Sequence, residues 1–349
     1  MTCLTPMLHL GSPAPTGQRP RPDGNVPPKG RLVAVIATHN RLASLSRALD
    51  ALLESTSRDL AAIVVVDNAS SDQTWSMLCA YPDPRVLPIR MARNQGGAGA
   101  FATAIKFAMS ALDPDWLLIM DDDAWPETGA IAAFHSTDHR GADMIAAAVY
   151  APDGTIMEMN RPSQNPFWDW GRFWATARYG RAGFHIPHSA YHQTAPHPID
   201  VTSFVGLFVS RAIVTKIGTP NPKLFVSGED GIYTLAATKA GFSGVFLPQI
   251  RFRHACKTFS GAGGGFYPVW KAYFYHRNLM ILYRQAAGIW FWAVLLVILP
   301  KWILKARRQV GNRGAYLTLL ALAIWDGLLH NLSRDSARLI ARYQRDKIT

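Results

Sequence analysis

Cysteine is scarce in this chain: Cys3, Cys79 and Cys256 are three in 349 residues, odd in number and far apart. That spacing excludes a disulfide framework and a zinc-finger motif, and it points to a reducing compartment. Acidic residues are also few, 24 against 36 Lys and Arg. The net charge of +12 raises nucleic acid as a partner, but residues 266–349 hold 13 of the basic residues and only 3 acidic ones. Charge so concentrated beside apolar sequence argues for a lipid surface and against nucleic acid. No apolar run reaches the ~20 residues of a membrane span; the strongest, from Ile289 to Leu299, stops at Pro300 and Lys301. Nor does an apolar leader open the chain, and the Pro- and Gly-rich residues 1–30 are expected to form a disordered tail. The turn after the first apolar run lacks G-x-G-x-x-G, and G-x-x-x-x-G-K-[ST] occurs nowhere. A dinucleotide fingerprint and a P-loop are therefore excluded as motifs.

What is present begins with Trp116-Leu117-Leu118-Ile119-Met120-Asp121-Asp122-Asp123. The apolar run reads as a strand covered on both faces, and it runs into three carboxylates that repel one another unless a cation separates them. Alternation along an extended chain turns Asp121 and Asp123 toward one point, where a divalent cation with oxygen ligands would satisfy them. An acidic turn capping the next helix is the simpler alternative.

Leu32 to Ala37, Ala61 to Val66 and Val86 to Ile89 read as further buried strands. Between them, Leu42 to Leu53 has helical spacing, a short helix opens after Ser71, and Gly97 to Leu112 reads as a helix. The alternation predicts a parallel sheet with crossover helices, whose ligands bind at the carboxyl ends of the strands. Thr38-His39-Asn40-Arg41, Asp67-Asn68 and the triple aspartate all fall at those ends. Residues 151–200 lose the pattern and fill with Trp, Tyr, His, Arg and Pro. Phe167, Trp168, Trp170 and Trp174 suit a sugar face, a membrane anchor or internal packing, the last being the commonest fate of such aromatics. Val201 to Ser210 reads as a strand, Ile232 to Ala240 as a helix preceded by Gly228-Glu229-Asp230, and Gly244 to Leu247 as a strand followed by Arg251 to His254. In the last quarter, residues 286–304 read as an interfacial or re-entrant helix, and Leu317, Leu320, Ile324, Leu328 and Leu332 share one face of another.

The ordered set Val35-Ile36-Ala37-Thr38-His39-Asn40-Arg41, Val65-Val66-Asp67-Asn68-Ala69-Ser70, Arg93-Asn94-Gln95-Gly96-Gly97-Ala98-Gly99, Asp121-Asp122-Asp123, Glu229-Asp230 and His254 resembles the family 2 glycosyltransferases of GT-A fold. The resemblance covers about residues 31–260. The Asn-x-Gly-Gly-x-Gly turn with a triple aspartate is most similar to the galactofuranosyltransferase branch, with related rhamnosyltransferases sharing much of it. Tyr273-Phe274-Tyr275-His276-Arg277-Asn278 resembles an element common in that branch.

The resemblance implies an α/β GT-A domain over residues 31–265, a mostly parallel sheet flanked by helices, followed by a basic helical membrane-associating region over 266–349. It implies a donor pocket lined by Thr38, Arg41, Asp67, Asn94, Gly97 and Asp122, with Asp67 accepting from a pyrimidine base. Asp121, Asp123 and His254 would hold Mn²⁺ or Mg²⁺, Asp230 would be the general base, and Glu229 would place the acceptor. The implied reaction is inverting transfer of a sugar, galactofuranose first and rhamnose second, from a UDP- or dTDP-sugar to a glycan or glycolipid. Its place would be the cytoplasmic face of the inner membrane, as a peripheral or monotopic protein. Where that branch carries an aromatic before Glu-Asp, this chain has Ser227-Gly228, which leaves the sugar and acceptor more open than the reaction class. A sugar nucleotidyltransferase would need a Gly-rich loop where Thr38-His39-Asn40 stands, and a non-catalytic relative would be expected to lose one of Asp121, Asp123 and Asp230.

Overall fold

The computed structural model describes residues 30–256 and 265–344. The tail expected over residues 1–30 therefore lies outside the described residues, apart from Gly30. The strands are β1 Leu32–Thr38, β2 Ala62–Asp67, β3 Val86–Arg90, β4 Trp116–Asp121, β5 Ala124–Pro126, β6 Met144–Tyr150, β7 His197–Ile199, β8 Leu207–Ser210 and β9 Gly244–His254. The helices of the sheet region are α1 Leu42–Leu53, α2 Thr74–Cys79, α3 Gly96–Phe107, α4 Ala130–Ser136, α5 Trp170–Tyr179, α6 Arg211–Ile217 and α7 Glu229–Lys239. After them come α8 Lys271–Ala287, α9 Phe291–Leu304, α10 Arg313–Leu328 and α11 Ser336–Gln344.

One mixed sheet runs in the order β3-β2-β1-β4-β8-β6-β9-β5, with β7 on β9. Strands β1 to β4 are parallel where they pair; β8 is antiparallel to both β4 and β6. Strand alternation divides the core between the two faces. Leu32, Ala34 and Ile36 pack with Leu45, Leu49 and Leu52 of α1 and Phe134 of α4. Val33 and Val35 pack with Phe101 and Ile105 of α3, Ile213 of α6 and Tyr233 of α7. Both faces are covered, which is why these strands are apolar without interruption. Strand order reverses between β1 and β4, so the crevice at their carboxyl ends is the natural ligand position.

The irregular middle differs from its sequence reading. Residues 170–179 form α5, with Asp169 accepting from Arg172 N at its start. Trp168, Trp170 and Trp174 are exposed rather than packed inside. β6, unread in the sequence, is buried in the sheet. β9 is one strand instead of two pieces, and its register against β6 shifts between Ala147 and Ala148, so that Leu247 and Arg251 pair with neighbouring residues. Pro248 lies in that interruption, where its missing N–H costs no ladder bond. The strand expected from Val201 begins only at Leu207, after Gly206 at φ +65°.

The C-terminal helices have their own core of Tyr273, Phe274 and Met280 from α8, Leu295 and Trp302 from α9, and Tyr316, Leu319 and Leu320 from α10. Gly327 of α10 lies so close to α8 that an added Cβ would meet the Met280 Cβ at 2.6 Å. Part of the apolar face read on α10 is thus spent on α8: Leu320 is buried, while Leu317 stays exposed. By length and composition alone Lys271–Arg308 qualifies as a candidate membrane span of 38 residues, but Gly288 at φ 53° ends α8, and α9 folds back so that Trp302 packs against Tyr283 and His276 of α8. α9 buries Phe291, Leu295 and Trp302 and leaves Trp292, Leu296, Val297 and Ile303 exposed.

Candidate active site

β1 and β2 end in register, with Thr38 opposite Asp67, and Ala37 is opposite Asp121 at the end of β4. Three polar termini therefore share one rim. The loops beyond them are tied together by Asn40, which sits at φ 55°. Its backbone N–H donates to Ser70 Oγ at 2.9 Å, and its side-chain oxygen accepts from Ser71 N at 2.7 Å. Asp67 is fully buried; Oδ1 accepts from Ser70 N at 3.1 Å, while Oδ2 has no hydrogen-bond partner and faces Arg90 Nε at 3.4 Å. The Arg90 ion pair offsets the charge of this buried oxygen, while its place for a hydrogen-bond donor stays open.

The three aspartates are held differently. Asp122 Oδ2 accepts from Thr38 Oγ1 at 2.7 Å, and burial, opposed by that bond, pushes its carboxyl up to about 6. Asp121 is pushed up to about 7 by burial, with His254 working against the rise and the two neighbouring carboxylates adding to it. Asp123 lies below the ordinary carboxylate range: burial opposes its charge, but the bond and charge of His254 and the charge of Arg41 outweigh burial. Its Oδ1 is 3.0 Å from His254 Nε2 and its Oδ2 accepts from Arg41 Nη1 at 3.1 Å.

His254 closes β9, and β5 pairs antiparallel with β9 so that Ala124 stands opposite it. Ala255 N donates to the Asp123 carbonyl at 2.9 Å and continues that pairing beyond the strand. The Nδ1 of His254 is 2.7 Å from the side-chain oxygen of Asn160, whose amide nitrogen donates to Ser203 Oγ. An amide oxygen only accepts, so Nδ1 carries the hydrogen and Nε2 is aimed at Asp123. Burial disfavours the imidazolium, yet hydrogen bonds to Asp123 and Cys256 hold its pKa up at about 10.

Asp123, His254 and Cys256 present ligand atoms within 4.8 Å of one another. The oxygen, nitrogen and sulfur donors, with the imidazole oriented through its other nitrogen, fit a divalent transition ion. Of the metal ligands read from sequence, Asp123 and His254 are in this group; Asp121 interacts with His254 through charge but stands outside it. Cys256 and Asn160 were missed. Cys256 had one signal, its place two residues beyond His254 on an extended chain; Asn160 had none.

The opposite wall is α7. Gly228, at φ 87°, turns the chain into the helix, and Glu229 and Asp230 form its first turn instead of preceding it. Burial, followed for Glu229 by the neighbouring Asp230, raises both carboxyls above the usual range. Glu229 Oε2 is buried without a hydrogen-bond partner, and Oε1 lies 3.1 Å from where a Cβ on Gly97 would be. Gly97 therefore borders Glu229. Asn94, expected in the donor pocket, accepts with its side-chain oxygen from Asn68 Nδ2 and Gly96 N and so builds the turn into α3.

The segment before Glu229 is clamped from α8. Asn278 Nδ2 donates to the carbonyls of Leu224, Val226 and Ser227, and Arg277 Nη2 to those of Lys223 and Leu224. These bonds hold Phe225 and Ser227 at φ 67° and 70°, a conformation non-glycine residues adopt only under constraint. The Tyr273-to-Asn278 element thus positions the Glu229-Asp230 turn from beneath.

The sheet order and rim define a GT-A fold. A crystal structure of GalNAc-T7 with UDP, GalNAc and Mn²⁺ superposes with a TM-score of 0.54 at 14% identity, over 92% of this chain and 59% of that one. Residues 33–196, just under half of the chain, match the model of glycosyl transferase family 2. Galactofuranosyltransferase GlfT1 of Mycolicibacterium smegmatis is 36% identical over 107 residues, 30% of this chain and 34% of that protein. Galactofuranosyltransferase GlfT2 of Mycobacterium tuberculosis is 25% identical over 285 residues, 73% of this chain and 41% of that one. The chain thus spans well under two thirds of either relative.

Proposed function

We propose that this chain is an inverting, metal-dependent glycosyltransferase that moves galactofuranose from UDP-galactofuranose to a lipid-linked or polymeric glycan at the cytoplasmic face of a membrane. One observation carries the reading: Thr38, Asp67 and the triple aspartate end adjacent strands, with His254 beside them and Glu229-Asp230 across from them. In this reading Asp67 Oδ2, ion-paired to Arg90 but without a hydrogen-bond donor, receives the N–H of a uracil ring. Arg41, whose side chain is half exposed, turns from Asp123 to the diphosphate. Asp123 and His254, with Asp121 beside them, would hold Mn²⁺ or Mg²⁺, which when bound offsets the charge of the departing nucleoside diphosphate. An acceptor hydroxyl attacks the anomeric carbon, the bond to the diphosphate breaks, and Asp230 takes the hydroxyl proton. The raised pKa of Asp230 suits a group that must hold a proton. Glu229 orients the acceptor through Oε2, which is buried without a hydrogen-bond partner.

The likeness to GlfT1 and GlfT2 supports galactofuranose as the sugar. The exposed apolar side of α9 supports a membrane site. Trp170 and Phe173 of α5 meet Trp290 with ring centroids 6.2 Å apart, so two segments distant in sequence form one aromatic surface. Aromatic and aliphatic residues flanked by the basic C-terminal quarter match an anionic lipid surface.

The test is nucleoside diphosphate release from a panel of UDP- and dTDP-sugars with Mn²⁺, in membranes carrying the acceptor glycolipids. Turnover of UDP-galactofuranose is expected. Turnover of dTDP-rhamnose alone would keep the chemistry and replace the sugar, and turnover of neither would overturn the assignment.

A further inference from the structure

We infer that Cys256 is itself a ligand of the metal, which makes this an oxygen–nitrogen–sulfur centre that binds Zn²⁺ or Co²⁺ far more tightly than Mg²⁺. The inference rests on the metal reading above. Bonds of about 2.3 Å to sulfur and about 2.0–2.1 Å to nitrogen or oxygen place the donor atoms of a tetrahedral site ~3.3–3.6 Å apart. The three donors here lie within 4.8 Å, so an ion would draw them together by about 1 Å, a side-chain adjustment. Asp123 and His254 are buried, and the Asn160 bond to Nδ1 leaves Nε2 as the imidazole donor. Cys256 follows His254 by two residues on a chain still paired to Asp123 through Ala255, so the backbone carries the thiol to the same side as the imidazole.

This set discriminates among ions. Mg²⁺ demands six hard oxygens and gains little from imidazole or sulfur. Thiolate with imidazole and carboxylate suits Zn²⁺ and Co²⁺, with Mn²⁺ between. The thiol proton passes to solvent as the ion binds.

Co²⁺ titration of the full chain, followed by absorbance, tests this directly. Visible ligand-field bands report Co²⁺ at the site, and a near-ultraviolet thiolate-to-cobalt charge-transfer band reports the sulfur. The wild type is expected to show both, and Cys256→Ser to keep the visible bands and lose the charge-transfer band. The same variant is expected to lower Zn²⁺ affinity by at least ~10-fold and leave Mg²⁺ affinity within about twofold. In the wild type, Zn²⁺ but not Mg²⁺ is expected to slow alkylation of Cys256, read by mass spectrometry. Visible bands without charge transfer in the wild type would overturn the inference and leave the metal site standing. No Co²⁺ binding at all would overturn both.

Discussion

Asp230→Asn is expected to lower turnover by about 10²- to 10⁴-fold, the usual contribution of a general base, while UDP affinity changes by less than about twofold. The amide is nearly the same size and keeps the oxygen that accepts from Gly231 N at 2.7 Å. What it loses is a lone pair able to take the acceptor's proton. Removing one of two coupled buried carboxylates also relieves repulsion on Glu229, whose raised pKa owes part of its shift to Asp230, so stability should not fall. Steady-state kinetics and thermal denaturation on the same preparation separate the two effects. A variant that turns over within tenfold of wild type removes Asp230 from the role of base.

Gly96→Ala is expected to cost about 3 kcal/mol or more of folding stability. Gly96 has φ +71°, and a Cβ there would sit 2.0 Å from the Phe225 carbonyl oxygen, a backbone atom that cannot swing aside. The same carbonyl accepts from Ala98 N at 3.1 Å, so the strain falls on the contact joining the start of α3 to the segment that delivers Glu229 and Asp230. Gly129→Ala is the control: φ is +84°, but nothing lies within 4 Å, and only the left-handed backbone cost of about 1–2 kcal/mol applies. Urea denaturation of both variants decides the matter; equal losses would mean the Phe225 contact carries no weight.

The alternating half of the molecule was legible in the sequence because its pattern is local. Strands covered on both faces are apolar runs, and α1 shows its buried stripe at Leu45, Leu49 and Leu52. The rim followed from the same logic, since polar clusters at the ends of parallel strands meet at one edge. What failed to show depended on distant partners. α5 carries no buried residue, so it has no apolar stripe to read. β6 is an alanine-rich run whose strand character comes from β8 and β9 on either side. The Asp123–His254–Cys256 cluster joins residues 131 positions apart, and no spacing rule connects Asp123 to Cys256 or His254 to Asn160. Arg277 and Asn278 carried a family resemblance without a mechanism; their role emerges only from the carbonyls they bind.

If this rim binds a nucleoside diphosphate through a divalent ion, calorimetric titration of UDP with Mn²⁺ and with chelator reads it without any acceptor. Binding is expected with Mn²⁺, weakened at least ~10-fold by chelator and weakened equally by Asp123→Asn in the presence of Mn²⁺. UDP affinity that is the same with Mn²⁺, with chelator and in Asp123→Asn would contradict it.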